Sequence, residues 1–428
     1  MGLLRSRVLK QTGQLYVAKL VALSAGFLIS ILNTRSLAPA GYGIYSLCFA
    51  VWEFVELFVN FGFYSSAARV IALNQHSKEK QRETIGTLLV VALGLATLAA
   101  VILFCLSFVV AQLFDMGGEE TLRLFAILFG LMTLQTMLEA VCRGSNRIVL
   151  LATFEVVSRV SCVALIGLFV LFGKYNIRVA VFLSLASAVG AAIVIVSSFA
   201  PKLQIQAATL RALFEDVKTY GFKAYCGDVA MNASYRTDAI LISYFVGATA
   251  VGFYRLSSLL TVPMTTLSQS LSVTLFTRFT ADREIKRRVL LVNSLWLGTC
   301  GVTLILLARL IVVNIFGLKY APVVPLVFPM VLVAACGGLS QPYNMFLGAK
   351  GKGNYLRNIA FMLTGINLVL NLVLIRQFGI LGACYASLIA LVVNLALHYY
   401  YYQRTIDHAV SYETPIGPVS SDELGIVE

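Results

Sequence analysis

Acids, bases and amides interrupt stretches that are otherwise apolar, and they do so at helical spacing. Glu53, Glu56 and Asn60 recur at i, i+3 and i+7 beside Trp52. Asp228, Asn232 and Arg236 recur at i, i+4 and i+8, with Lys223 before them and Asp238 after. Glu155 and Arg159 stand four apart, as do Asn367 and Asn371. Lys19 shares a face with Gly26, Ser30 and Asn33, and Gln269 belongs to a polar stripe with Arg255, Ser258, Thr265 and Ser272. A charge at the centre of a bilayer costs about 2.5–3.5 kcal/mol, so such residues mark an interior or a cavity. Two kinds of chemistry fit them. Lys and Arg bind phosphate oxygens, Arg through a bidentate fork. Carboxylates in the same cavity exchange protons or Na⁺, because burial and neighbouring charge move their proton affinity.

Each group also has a purely structural reading. Glu155 and Arg159 can be an intrahelical pair, as can Glu139 and Arg143 near a helix end. Asn367 and Asn371 can be hydrogen-bonding glue between helices. Nothing points to catalysis: the three His (His76, His398, His408) are scattered, and no nucleophile–base pair or Gly-rich phosphate loop stands out. The eight Cys lack C-x-x-C spacing, so neither a metal site nor a disulfide framework is expected, and no cofactor is implied.

These residues must be carried by helices that cross a membrane. The chain is 59% hydrophobic and 12% charged, with a mean hydropathy of +0.85. A water-soluble core of this size is not so apolar. A helix needs about 20 apolar residues to span the hydrocarbon. Twelve stretches meet that need: 15–33, 44–68, 86–114, 122–142, 149–172, 179–199, 221–243, 252–277, 289–315, 324–347, 356–376 and 382–402.

Charge sets the orientation. Between these spans, Arg35, Lys174, Arg178 and Lys319 are the only bases on one side, and the loop Asp115 to Glu120 there is acidic. The other side carries Arg5, Arg7, Lys10, Lys78, Lys80, Arg82 and a further base or more in every later loop. Both termini are therefore expected in the cytoplasm. The net charge of +13 follows from this topology and matches an anionic inner leaflet, so membrane lipids and not nucleic acid are the expected partner surface.

The chain reads as a duplication. Gly43-Ile44-Tyr45-Ser46-Leu47 recurs as Gly252-Phe253-Tyr254-Arg255-Leu256, at an offset of 209. Arg143-Gly144-Ser145 has a counterpart at Leu347-Gly348-Ala349, offset by 204, and Phe172-Gly173 at Phe378-Gly379, offset by 206. Six spans return the chain to its starting side, so the halves are parallel repeats. Such repeats build transporters with the substrate site between them. The expected domains are an N-terminal lobe at 1–199, a cytoplasmic amphipathic linker at 200–220, a C-terminal lobe at 221–402 and a disordered tail at 403–428. Leu203, Leu210, Leu213, Phe214 and Val217 form the apolar face of the linker.

At this point the chain resembles a family. Ser36-Leu37-Ala38-Pro39-Ala40-Gly41-Tyr42-Gly43 after a polar first span resembles the start of the polysaccharide-biosynthesis flippases of the multidrug/oligosaccharidyl-lipid/polysaccharide exporter superfamily. The likeness continues in Asp238-Ala239-Ile240-Leu241-Ile242, in Ile315-Phe316-Gly317-Leu318-Lys319-Tyr320, and in Asn367-Leu368-Val369-Leu370-Asn371 with Phe378-Gly379. It implies an all-α membrane fold of two six-helix lobes in a V. It implies a flippase that moves undecaprenyl-pyrophosphate-linked oligosaccharide across the bacterial plasma membrane by alternating access, coupled to H⁺ or Na⁺, with a polysaccharide polymerase and co-polymerase as partners. It carries over no site residue. The candidate cavity residues rest on the spacing argument: Lys19, Glu53, Glu56, Asn60, Glu155, Arg159, Lys223, Asp228, Asn232, Arg236, Gln269, Asn367 and Asn371.

Three other readings compete. A drug/cation antiporter of the same superfamily would line its cavity with carboxylates and aromatics, whereas bases and acids are mixed here. A lipid II flippase often has more than twelve spans. A membrane-embedded polysaccharide polymerase or ligase needs a reaction chamber, and the loops on the outer side are too short to roof one.

Overall fold

The computed structural model describes residues 2–74, 77–113, 119–202 and 206–411. The first half contains α1 (Gly2–Ser36), α2 (Pro39–Val59), α3 (Phe63–Leu73), α4 (Lys78–Leu113), α5 (Glu119–Leu131), α6 (Thr133–Gly144), α7 (Ile148–Leu171) and α8 (Ile177–Ser197). The linker forms α9 (Ala207–Asp216). The second half contains α10 (Phe222–Phe245), α11 (Ala248–Ala281), α12 (Arg287–Ile311), α13 (Val324–Ala349), α14 (Gly353–Phe378) and α15 (Ile380–Ser411). Hydrocarbon offers the backbone no partner, so segments that cross it must close their hydrogen bonds within the helix.

Eleven helices among the described residues are long and apolar enough to cross a membrane, counting α5 and α6 together. The twelfth expected span is α10, which is 24 residues long but carries Lys223, Asp228, Arg236 and Asp238. Its Arg236 and Asp238 find polar partners on other helices. Many large apolar side chains face outwards; Ile127 is 72% and Leu306 76% exposed. A surface of that kind matches lipid tails.

The expected second span, 44–68, is two helices. Asn60 ends α2, Phe61 (φ 46°) and Gly62 (φ 81°) take left-handed conformations, and the Gly62 N–H donates to Asn60 Oδ1 at 3.0 Å. A side chain at Gly62 would collide with the Gly221 carbonyl just before α10. The break is thus a close crossing of the two halves, where only glycine fits.

The linker is helical over Ala207–Asp216 and passes through a π-helical turn, Val217–Gly221, into α10. Leu213 is fully buried and Phe214 packs edge-on against Phe63, ring centroids 5.2 Å apart. Arg69 pairs with Asp216 at 3.0 Å. Just before it, Lys202 bridges Glu79 at 2.7 Å and Glu83 at 3.3 Å, and these bonds hold its ammonium above the ordinary lysine range. Leu203 lies outside the described residues. The tail differs from expectation: α15 runs to Ser411, nine residues into the segment that was expected to be disordered from Gln403. Tyr399 accepts a bond from Gln403 at 2.8 Å and Thr405 is buried, which extends the helix; 412–428 lie outside the described residues.

Two lobes result: α1 to α8 build the first, with α2–α3 and α5–α6 each standing in for one expected span, and α10 to α15 build the second. Within the first, α1 packs on α7, α4 on α5, and α3 on α6; within the second, α13 packs on α11 and α15, and α10 on α14. The seam between lobes is formed chiefly by α2 against α10 and α11. Gly43 of α2 and Gly252 of α11, equivalent residues of the duplicated motif, meet in that seam, which places the pseudo-symmetry relation where the two copies touch.

Candidate substrate cavity

Helix α2 brings Glu53 and Glu56 to the seam on one face, and the second lobe supplies the bases. Arg255 of α11 binds Glu53, Nη2 to Oε1 at 2.7 Å, and its Nη1 donates to the Ser46 carbonyl at 3.4 Å. Arg236 of α10 donates to the Glu53 carbonyl and lies 3.7 Å from Glu56. Thr136 of α6 donates to the other Glu56 oxygen. Two carboxylates from one lobe therefore neutralise two guanidinium groups from the other.

Two cavities open beside this network. One, of 540 Å³, is lined by Ser30, Tyr45, Gln135, Glu139, Glu155, Arg159 and Arg255 among others. The other, of 450 Å³, is lined by Glu53, Glu56, Asn60, Gln135, Thr136, Glu139 and Arg236 with Trp52. They share Phe49, Met132, Gln135 and Glu139 as a common wall. Tyr45 donates to or accepts from Ser184 at 3.0 Å, which fixes one rim.

A second polar cluster lies within the C-terminal lobe. Asp238 is 2% exposed. Its Oδ2 accepts from Tyr254 at 2.9 Å and from Ser387 at 3.1 Å, and its Oδ1 accepts from Asn371 Nδ2 at 2.7 Å. The same Asn371 nitrogen also meets Asn367 Oδ1, and Asn371 Oδ1 is buried without a donor. Among the described residues no base lies within 4.0 Å of Asp238. Four polar side chains from three other helices, Tyr254, Asn367, Asn371 and Ser387, thus gather around the Asp238 carboxylate, a set suited to a proton or a small cation.

The expected residues divide accordingly. Glu53, Glu56, Asn60, Glu155, Arg159 and Arg236 line the two cavities. Asn367 and Asn371 join Asp238 instead. Lys19 and Gln269 are exposed and line neither cavity. The side chains of Lys223, Asp228 and Asn232 lie outside the described residues. Of the two readings of Glu155 and Arg159, the intrahelical pair does not form, their charged atoms being more than 4.0 Å apart; Arg159 reaches over Gly26 of α1, where any side chain would strike its guanidinium. Glu139 and Arg143 do pair, at 3.7 Å. Spacing arguments passed over Arg255 as the main base and Asp238 as the centre of its cluster. The signal for Arg255 was the duplicated motif itself: it fills the one interior position where Arg replaces Ser46.

The sequence profile of the family described as polysaccharide biosynthesis protein matches residues 8–280. The chain belongs to that family. No curated protein matches the sequence. Among solved structures, the lipid II flippase MurJ in an inward closed conformation is similar with a TM-score of 0.73 at 13% identity, over 93% of this chain and 90% of that one. An inward-facing multidrug resistance MATE transporter of the MOP superfamily is similar with a TM-score of 0.71 at 13% identity, over 92% and 96%. A MOP superfamily transporter from Pyrococcus furiosus is also similar, with a TM-score of 0.59 at 12% identity, over 92% and 96%. This member of the polysaccharide biosynthesis family thus has the two-lobe exporter fold and is a multi-pass membrane protein.

Proposed function

We propose that the protein is a flippase that moves undecaprenyl-pyrophosphate-linked oligosaccharide units across the bacterial plasma membrane, with both termini cytoplasmic, by alternating access. The observation that carries this reading is the pair of guanidinium groups, Arg236 and Arg255, held at the cavity wall by Glu53 and Glu56 of the opposite lobe. A diphosphate offers the same charge and better geometry, because each guanidinium binds phosphate oxygens through two parallel N–H groups. Substrate binding then exchanges carboxylate for phosphate. The arginines stay neutralised while the inter-lobe bridges open, so no base at the cavity wall is left without an anionic partner. The freed Glu53 and Glu56 take up protons or face water in the cavity.

Asp238 and its ring of oxygens are the proposed site for the coupling H⁺ or Na⁺. A buried carboxylate with no base beside it among the described residues, next to an amide oxygen with no donor, gains a partner when a cation enters. A cation there would tie α10 and α11 to α14 and α15, so ion binding acts on the two helices that carry Arg236 and Arg255.

The test is flipping of a fluorescent lipid-linked diphosphate oligosaccharide in proteoliposomes, with lipid II and an organic cation as parallel substrates. Transport of the diphosphate oligosaccharide that falls in Arg255→Ala supports the reading. Transport of the cation alone overturns it in favour of an antiporter, and transport of lipid II alone assigns the protein to peptidoglycan precursors.

A further inference from the structure

At the far end of α1 the two lobes hold each other by a reciprocal contact that the cavity does not use. Arg35, in the last turn of α1, reaches into the second lobe. Its Nε donates to the Ile315 carbonyl at 2.7 Å and its Nη2 donates to the Asn314 carbonyl. Lys319 reaches back. Its Nζ donates to the Leu37 carbonyl at 2.8 Å and to the Arg35 carbonyl at 3.4 Å. All four acceptors sit where helices end. Helix α1 stops at Ser36, and the π-helical turn that continues α12, Val312–Phe316, stops at Gly317 with φ 103°. The last carbonyls of a helix lack partners within it and carry the negative end of its dipole. Each lobe thus supplies the cation that caps a helix C-terminus of the other.

Neither base has a carboxylate within 4.0 Å among the described residues. Among the described residues the two positive charges are met by carbonyl dipoles and, for Lys319, by the Tyr320 ring, whose centroid lies 5.7 Å from Nζ. Beneath them lies an aromatic seal: Tyr320, fully buried, stands edge-on to Tyr42 at 6.1 Å and to Phe253 at 6.0 Å, and Phe27 stands edge-on to Phe316 at 5.9 Å. When the lobes part at this end, the carbonyls withdraw and both bases are left at a widening mouth. An anion with several oxygens then satisfies them in place of the carbonyls. A diphosphate suits the geometry, since it has two charged centres to reach two bases on opposite lobes, and the Arg fork matches phosphate oxygens.

We propose that Arg35 and Lys319 form a latch on the outer mouth that a diphosphate group releases by replacing the carbonyls, and that the same two bases then hold the diphosphate as an exit site. The inference rests on the reading that the transported headgroup is a diphosphate and that this mouth is the outer one.

The test uses the full chain with Leu37→Cys, a residue buried beneath the latch. Its labelling by an impermeant maleimide is followed in right-side-out vesicles, with the unsubstituted chain as background, while inorganic pyrophosphate is added at constant ionic strength. Pyrophosphate is expected to raise the labelling rate about threefold or more, as a shift of population toward the open latch. Arg35→Gln with Lys319→Gln is expected to raise the basal rate and abolish the pyrophosphate response, while Lys319→Arg keeps the response. No response to pyrophosphate in the Leu37→Cys chain overturns the proposal, whether or not the Gln variants fold. An equal response in the Gln variants also overturns it. Flipping measured separately distinguishes this failure from failure of the flippase reading: a chain that flips substrate but ignores pyrophosphate loses the latch and keeps the function.

Discussion

Gly43 and Gly252 are the same residue of the duplicated motif, and they touch: a side-chain carbon on Gly252 would lie 3.0 Å from the Gly43 Cα. A side chain on Gly43 would run into the Ala248 carbonyl at the start of α11. The first position has less room, because it meets rigid backbone. Gly43→Ala is therefore expected to lower stability by about 1–3 kcal/mol, as overpacking does, and Gly252→Ala by less. Thermal unfolding of the purified protein in detergent checks the order. Equal melting temperatures for Gly43→Ala and the parent would show that α2 and α11 separate freely here.

Arg236 and Arg255 should differ from simple structural bases in how they tolerate substitution. Arg236→Lys keeps a point charge without the fork and should retain part of the flipping rate. Arg236→Ala should lose roughly tenfold or more, equivalent to about 1.4 kcal/mol per factor of ten. Arg236→Glu should fail most severely, because repulsion adds to the lost contact. Complementation of polysaccharide export, with membrane levels checked by blotting, reads the series. Normal export in Arg236→Glu would remove phosphate recognition from this residue.

Glu53 holds Arg255 in the absence of substrate, so neutralising it should free the arginine. Glu53→Gln is expected to bind a diphosphate lipid more tightly than the parent while flipping it more slowly, since the bridge no longer reforms to return the carrier. Binding by intrinsic fluorescence and flipping in the same proteoliposomes give both quantities. Weaker binding in Glu53→Gln would contradict the exchange of carboxylate for phosphate.

Asp238→Asn removes the charge but keeps the shape and most hydrogen-bonding atoms of its cluster. The variant should fold and insert normally, yet its flipping rate should no longer respond to a Na⁺ or pH gradient. A gradient response equal to that of the parent would place coupling elsewhere.

The orientation predicts which loops are reached from outside the cell. Lys174→Cys, in the exposed turn after α7, should react with an impermeant thiol reagent in intact cells, and Glu284→Cys, in the exposed turn before α12, should not. The reverse pattern would invert the topology and with it the direction assigned to the latch.

Much of this architecture was legible in the residues alone. Apolar length marked the spans, since the hydrocarbon thickness sets it, and the helix α10 stands where the seventh span was expected although four charges interrupt it. Helical periodicity put Glu53, Glu56 and Asn60 on one face. The repeat at Gly43 and Gly252 announced two parallel halves. Periodicity reaches only along one helix, however, and the partners lay on others. Glu53 meets Arg255 and not a neighbour on α2; Asn371 turns to Asp238 of α10; Arg159 crosses Gly26 of α1 and leaves Glu155 unpaired. The break at Asn60–Gly62 was hidden for the same reason, because it exists to let Gly221 of the other half pass. Reach along a helix follows from local backbone geometry, which the residues dictate position by position. Which charge neutralises which across the seam depends on how the two lobes close on one another, and only the packed structure decides that.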